Sequence, residues 1–268
     1  MNHYVQPDEF AGRTAVVTGG GSGIGRAVAR RWAAGGGHVT VVGRRADPLR
    51  ETVALIEAAG GSADAVTCDV RDAAAVDTAV DGVAERHGRL DVLVNNAAGN
   101  FVLPGEELSP NGWKAVIDIV LNGTFHCTRA AARHMLPQGS GAVLNVIASY
   151  AWHGHPGTVH SAAAKAGVLA MTRTLAVEWA PRGVRLNCIA PGPTETEGAS
   201  AALWPTDTAR ERVLASVPAA RFTTPEEVAE SAAFLIGDRA AYVTGDVLVV
   251  DGGQWLGKSV YATEPSGA

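Results

Sequence analysis

The feature that most constrains this chain is an alternation. Short runs rich in β-branched residues (Thr14 to Thr18, Val39 to Val42, Ala65 to Cys68, Val92 to Asn95, Val143 to Ile147, Val184 to Ile189 and Val247 to Val250) are separated by longer Ala- and Arg-rich stretches. Those stretches have helical spacing and fall around 24–35, 48–59, 73–87, 110–135, 158–180 and 225–237. The uninterrupted apolar character of the short runs predicts strands buried on both faces. Strand, helix, strand repetition implies right-handed crossovers. The expected fold is therefore α/β: a single doubly wound domain with a seven-stranded parallel sheet and helices on both faces. A length of 268 residues would also allow two small domains, but no linker divides the sequence, so 1–268 reads as one unit. A chain of this size buries roughly 75% of its extended surface, enough for a core without disulfides or metal.

Composition removes several partners. With 22 Lys and Arg against 27 Asp and Glu, the net charge of −5 offers no basic field for nucleic acid. No apolar run approaches the ~20 residues that span a bilayer, so no membrane partner is expected. The start, MNHYVQPDEF, has neither a basic segment followed by an apolar one nor an Arg-rich amphipathic pattern, and a cytoplasmic location is expected. Cys68, Cys127 and Cys188 form no CxxC pair and read as buried, reduced thiols.

In open parallel sheets, ligands bind at the carboxyl ends of the strands. After the first strand comes Thr18-Gly19-Gly20-Gly21-Ser22-Gly23-Ile24-Gly25, running into a helix. Glycines there let the backbone turn tightly and approach a pyrophosphate, whose charge sits at the positive helix end. Gly19, Ser22, Gly23, Ile24 and Gly25 are thus candidate cofactor contacts. The second strand ends Val42-Gly43-Arg44-Arg45, where an acidic residue would hold the ribose 2′-hydroxyl of NAD. A guanidinium suits a 2′-phosphate instead, so Arg44 and Arg45 predict NADP, with Asp69 and Val70 bounding the adenine. The stretch from Pro191 to Pro225, with one short helical pattern near 207–216, is expected to cover the substrate.

With Asn95-Asn96-Ala97-Ala98-Gly99 after the fourth strand, the chain resembles the short-chain dehydrogenase/reductase family. The likeness continues through Asn122, Ser161 to Lys165, Arg185-Leu186-Asn187, Pro191-Gly192, Thr196 and Asp251-Gly252-Gly253. It implies a single Rossmann domain, a nicotinamide cofactor and a homotetramer. It also implies cofactor contacts at Asn96, Ala97, Lys165, Pro191, Gly192, Thr194 and Thr196. Most members carry Tyr four residues before the catalytic Lys, where this chain has Ser161, and the Ser expected after the fifth strand is Ala148, next to Ser149. A serine hydroxyl is a far weaker acid than a phenol.

Tyr150, fifteen residues before Lys165, is similar in placement to the tyrosine of the 2,4-dienoyl-CoA reductase branch. The strings Asn96 to Phe101 and Ile119 to Phe125 resemble that branch too. The branch implies that Tyr150 and Asn122 hydrogen-bond the thioester carbonyl, that Lys165 fixes the nicotinamide ribose and that Ser161 helps to order the site. Two other readings stay open: an NADP-dependent ketone or alcohol oxidoreductase with a displaced tyrosine, and a non-catalytic NADP-binding regulator.

The acyl-CoA partner is less well marked, since Pro193 to Thr208 holds Glu195, Glu197 and Asp207 but no Lys or Arg; Arg210 and Arg212 follow. No metal is expected. His153, His155 and His160 crowd the segment after Tyr150, but no carboxylate or cysteine accompanies them at ligand spacing.

Overall fold

The computed structural model describes residues 8–257, apart from the side chains of Glu197, Ala199 and Ala201. The ends of the single domain read as 1–268, including most of the amino-terminal decapeptide, lie outside those residues. The elements run β1 (Thr14–Thr18), α1 (Gly23–Ala34), β2 (His38–Gly43), α2 (Ala46–Ala58), β3 (Ser62–Thr67), α3 (Ala73–His87), β4 (Val92–Asn95) and α4 (Pro110–Ile117). There follow α5 (Gly123–Gln138), β5 (Gly141–Val146), α6 (Tyr150–His153), α7 (Val159–Trp179), β6 (Val184–Pro191), α8 (Glu197–Leu203), α9 (Asp207–Ala215), α10 (Pro225–Ile236) and β7 (Val247–Val250). All seven strands are parallel, in the order β3-β2-β1-β4-β5-β6-β7. The chain reverses its direction of winding between β1 and β4, which opens a crevice at their carboxyl ends.

Two of the three hydrophobic clusters sandwich the centre of the sheet, and the third lies under α7 and β6. On one face Trp32 of α1, Leu49 and Ile56 of α2 and Val228 and Leu235 of α10 pack on Val17, Val41 and Val94. On the other, Val76, Val80 and Val83 of α3 and Cys127, Ala131 and Met135 of α5 pack on Val16, Leu93 and Val143. Removing such side chains from water contributes about 1.5–3 kcal/mol each. Cys68, Cys127 and Cys188 are buried free thiols, as expected. Burial pushes Cys127 up to about 12 and Cys188 up to about 11, so neither is a thiolate at neutral pH.

Three details differ from the sequence reading. The edge strand β3 is half open, with Ser62, Ala65 and Thr67 facing or bordering solvent, because it has a neighbour on one side only. The stretch around 110–135 is not one helix: α4 and α5 are separated by a π-helical turn over Asp118–Asn122, one extra residue that composition does not betray. The segment from Pro191 to Pro225 holds two helices, α8 as well as α9. Among the described residues, no helix is long and apolar enough to cross a membrane.

Candidate active site

The glycine turn is built by close approach. A Cβ on Gly25 would lie 2.3 Å from the Gly19 carbonyl oxygen and 2.5 Å from Asn96 Nδ2, and Gly19 and Gly23 take φ of +64° and +51°. Ser22 caps α1 in an extended conformation without a side-chain hydrogen bond. The first amide groups of α1 are thus left to an anion rather than to a cap.

Asn96 and Ala97 brace this turn from the end of β4. Both backbone amides donate to Thr18 Oγ1 at 3.0 Å, and Asn96 Nδ2 donates to the carbonyls of Thr18 (3.1 Å) and Gly19 (3.3 Å). The role visible for Asn96 is to hold the turn. From the other side, a Cβ on Gly23 would lie 3.1 Å from Thr196 Cγ2, so the segment after β6 returns to the same turn. Gly192 backs onto Asp251, Thr194 Oγ1 donates to the Gly192 carbonyl at 3.1 Å, and Thr194 bridges Thr223. Pro191 closes β6.

Arg44 and Arg45 are exposed at the end of β2, and among the described residues neither forms a salt bridge. Asp69 is bound instead by Arg71 at 2.6 Å; that hydrogen bond, with a smaller contribution from Arg44, keeps its carboxyl below the ordinary range. Val70 is buried, its side chain facing Gly123 and its carbonyl oxygen 3.0 Å from His126 Nδ1. Ile24 is half-buried against the α1–α10 core.

At the end of β5, α6 carries Tyr150 over α7. Tyr150 Oη and Ser161 Oγ lie 3.1 Å apart, which brings the two expected hydroxyls together. Burial raises the Tyr150 pKa, and the Ser161 contact only partly opposes this, so the phenol stays neutral. One helical turn on, Lys165 is buried, and its Nζ donates to the Val146 carbonyl at 2.5 Å. Desolvation pulls its pKa down to about 8. Ser149, the neighbour of Ala148, is 3.2 Å from His153 Nε2. Behind the site runs a buried polar chain. Asn95 Nδ2 donates to Thr128 Oγ1 and Asn145 Oδ1, Asn145 Nδ2 donates to Thr172 Oγ1, and Cys188 Sγ meets the same hydroxyl.

Asn122 does not join this group. It is exposed, and its Nδ2 donates to Asp118 Oδ1 at 2.9 Å, within the π turn that sequence spacing could not reveal. Another asparagine lies near the group. Asn100 is half-buried after β4, its Oδ1 accepts from the Phe101 amide at 2.9 Å, and the Phe101 ring stands edge-on to His160 at 4.3 Å, next to Ser161. Asn100 lies in the quoted Asn96 to Phe101 string, but spacing alone does not say which amide is free. His153 and His155 are exposed, whereas His160 is buried among the site's packing with neither ring nitrogen hydrogen-bonded.

The fold and the glycine turn define a dinucleotide-binding oxidoreductase, and Tyr150, Ser161 and Lys165 gather where the chain leaves β5, with Lys165 bonded to the carbonyl of Val146. Comparison with known proteins narrows this. Residues 19–254 match a family model described as enoyl-(acyl carrier protein) reductase. The chain is 51% identical to a Bacillus subtilis protein named as a probable 2,4-dienoyl-CoA reductase, over 91% of this chain and 97% of that one. It is 39% identical to the peroxisomal 2,4-dienoyl-CoA reductase of Rattus norvegicus, over 95% and 88%. A crystal structure from Beutenbergia cavernae, with NADP bound at low occupancy, superposes with a TM-score of 0.89 at 40% identity, over 94% of this chain and 100% of that one. The chain belongs to the short-chain dehydrogenase/reductase family of oxidoreductases.

Proposed function

We propose that this protein is an NADPH-dependent reductase of conjugated 2,4-dienoyl thioesters, with acyl-CoA as the carrier. The observation that carries the reading is the neutral, half-buried Tyr150 phenol paired with Ser161. The identity to proteins named as dienoyl-CoA reductases supports it. The residues present fit the cofactor: a cradle closed to any Cβ at Gly25, an uncapped α1 terminus and a free Arg44. When bound there, NADPH supplies a hydride to the far end of the diene.

Charge then develops on the thioester oxygen. A neutral phenol donates a hydrogen bond to that oxygen without having to surrender its proton, the arrangement of an oxyanion hole, and the proton that completes the reduction at carbon comes from a water. Tyr150 takes this role, and Ser161 orients its hydroxyl. The second donor is better assigned to Asn100 than to Asn122. Asn100 uses its carbonyl oxygen for Phe101 and keeps both N–H donors, whereas Asn122 is exposed and spends one of its two N–H donors on Asp118. Lys165 holds the ribose and supplies positive charge. For the CoA phosphates, Arg212 is exposed and forms no salt bridge among the described residues, while Arg210 is bound to Glu195 at 2.5 Å. The implied homotetramer fits the exposure of Phe125 on α5 and Val177 on α7.

A 2,4-dienoyl-CoA is expected to be reduced faster than a 3-ketoacyl-CoA, because the Tyr150–Ser161 arrangement favours holding an enolate oxygen over protonating an alkoxide. Initial rates of NADPH oxidation decide this. A lead of about tenfold or more for the ketone would replace the reading with a displaced-tyrosine ketone reductase, and no turnover of either would favour a regulator.

The pKa of Lys165, about 8, gives a second expectation. Below it the ammonium is charged and above it neutral, so kcat/KM should fall on the alkaline side with an apparent pKa near 8. The raised Tyr150 adds no earlier limb. In Lys165→Arg, whose side chain keeps its charge, the limb should vanish. A pH–rate series on both proteins tests this; an unchanged limb in the Arg variant would assign it elsewhere.

A further inference from the structure

At the opposite edge of the sheet lies a cluster that the reductase chemistry does not use. His38 opens β2, and Asp64 sits in β3 opposite Thr40, so alternation puts His38 and Asp64 on one face. His87 is the last residue of α3, ended there by Gly88 at φ +70°. The helix end brings the His87 ring against His38, with centroids 3.9 Å apart.

Both imidazoles turn Nε2 to the same carboxylate oxygen: His38 Nε2 lies 3.7 Å and His87 Nε2 3.6 Å from Asp64 Oδ2. These separations are too long for hydrogen bonds. They are close to the distance of about 3.3–3.4 Å between two ligands on a tetrahedral ion with bonds of about 2.0–2.1 Å. His38 Nε2, His87 Nε2 and Asp64 Oδ1 are all buried without a hydrogen-bond partner, an arrangement that is costly when left unmet. Ser62 Oγ holds His38 Nδ1 at 2.8 Å, the outer contact that commonly orients a ligating imidazole.

We propose that His38, Asp64 and His87 form a binding site for a first-row transition-metal dication such as Zn²⁺. Two imidazole nitrogens and one carboxylate oxygen suit zinc rather than Mg²⁺ or Ca²⁺, which favour all-oxygen shells. Three protein ligands leave a fourth position for water. Arg86 pairs with the Asp64 carboxylate and is more than half exposed, so it can swing out as the ion replaces its charge. The ion would pin the end of α3 to strands β2 and β3, far from the glycine turn.

The test is titration of chelator-treated, full-length protein with ZnCl₂ by calorimetry, with thermal unfolding alongside. One equivalent should bind with Kd of about 10 µM or tighter and raise Tm. His87→Ala and the near-isosteric Asp64→Asn should each weaken binding at least about tenfold and abolish the Tm shift. His134→Ala, at a separate His–Asp pair (His134 Nε2 to Asp81 Oδ1, 2.7 Å), should leave both unchanged. The proposal is overturned by no saturable binding, or by binding that the His87 and Asp64 variants keep. Should His87→Ala fail to fold, Asp64→Asn carries the decision.

Discussion

Tyr150→Phe is expected to lose about 10²–10³ in kcat, the usual cost of removing one oxyanion donor, with NADPH binding nearly unchanged. The ring and its packing survive the substitution, and only the hydroxyl 3.1 Å from Ser161 is lost. Ser161→Ala should lose less, since it removes an orienting partner and leaves the donor. Asn100→Ala should behave like Tyr150→Phe on a smaller scale, and Asn122→Ala should stay near wild type because its amide is bound to Asp118. Stopped-flow turnover and NADPH titration of the four variants make the comparison. A Tyr150→Phe enzyme with near-normal kcat would show that the thioester oxygen lies elsewhere.

Arg44→Asp is expected to abolish or reverse the preference for NADPH over NADH. A charge-assisted hydrogen bond to a 2′-phosphate contributes roughly 1.5–3 kcal/mol, or about 10- to 150-fold in kcat/KM. Arg44 is free to make that contact because Asp69, the nearby carboxylate, is already held by Arg71. An introduced aspartate would repel a phosphate and accept from a ribose hydroxyl. Measuring kcat/KM with both cofactors settles it, and a wild-type preference for NADH would refute the assignment.

Much of this fold is legible in the sequence, for a reason that also marks the limits. β1, β4, β7 and α3 fall where the runs of Thr14 to Thr18, Val92 to Asn95, Val247 to Val250 and 73–87 place them. In β1, β4 and α3 local preference and burial agree, whereas β7, the other edge of the sheet, is half-buried throughout. β3 keeps an apolar run but lies at an edge, and its exposure depends on strand order, which no local pattern encodes. α8 goes unread because Glu197 to Leu203 is mostly small residues with no clear apolar stripe. At the site, the glycine turn and Arg44 announce themselves, since each is a local demand on backbone or charge. The choice between Asn100 and Asn122 is different. It rests on how each amide is bonded, and the partners that bear on it, the Phe101 amide and the Asp118 carboxylate, become visible only when the chain is folded.

The brace between Thr18 and Asn96 bears on how wide the crevice can open. Backbone pairing of β1 with β4 stops at Val17 and Val94, and beyond it the strands part. What spans the gap is a threonine hydroxyl taking two amides and an asparagine amide giving to two carbonyls. Side chains of fixed length therefore act as a spacer gauge between the glycine turn and the strand end that leads to Asn100. The separation of these two walls is set by the protein itself. An aspartate at 96 would have the same length and shape, yet it would turn a carboxylate toward the Thr18 and Gly19 carbonyls and push apart the two walls that asparagine holds together.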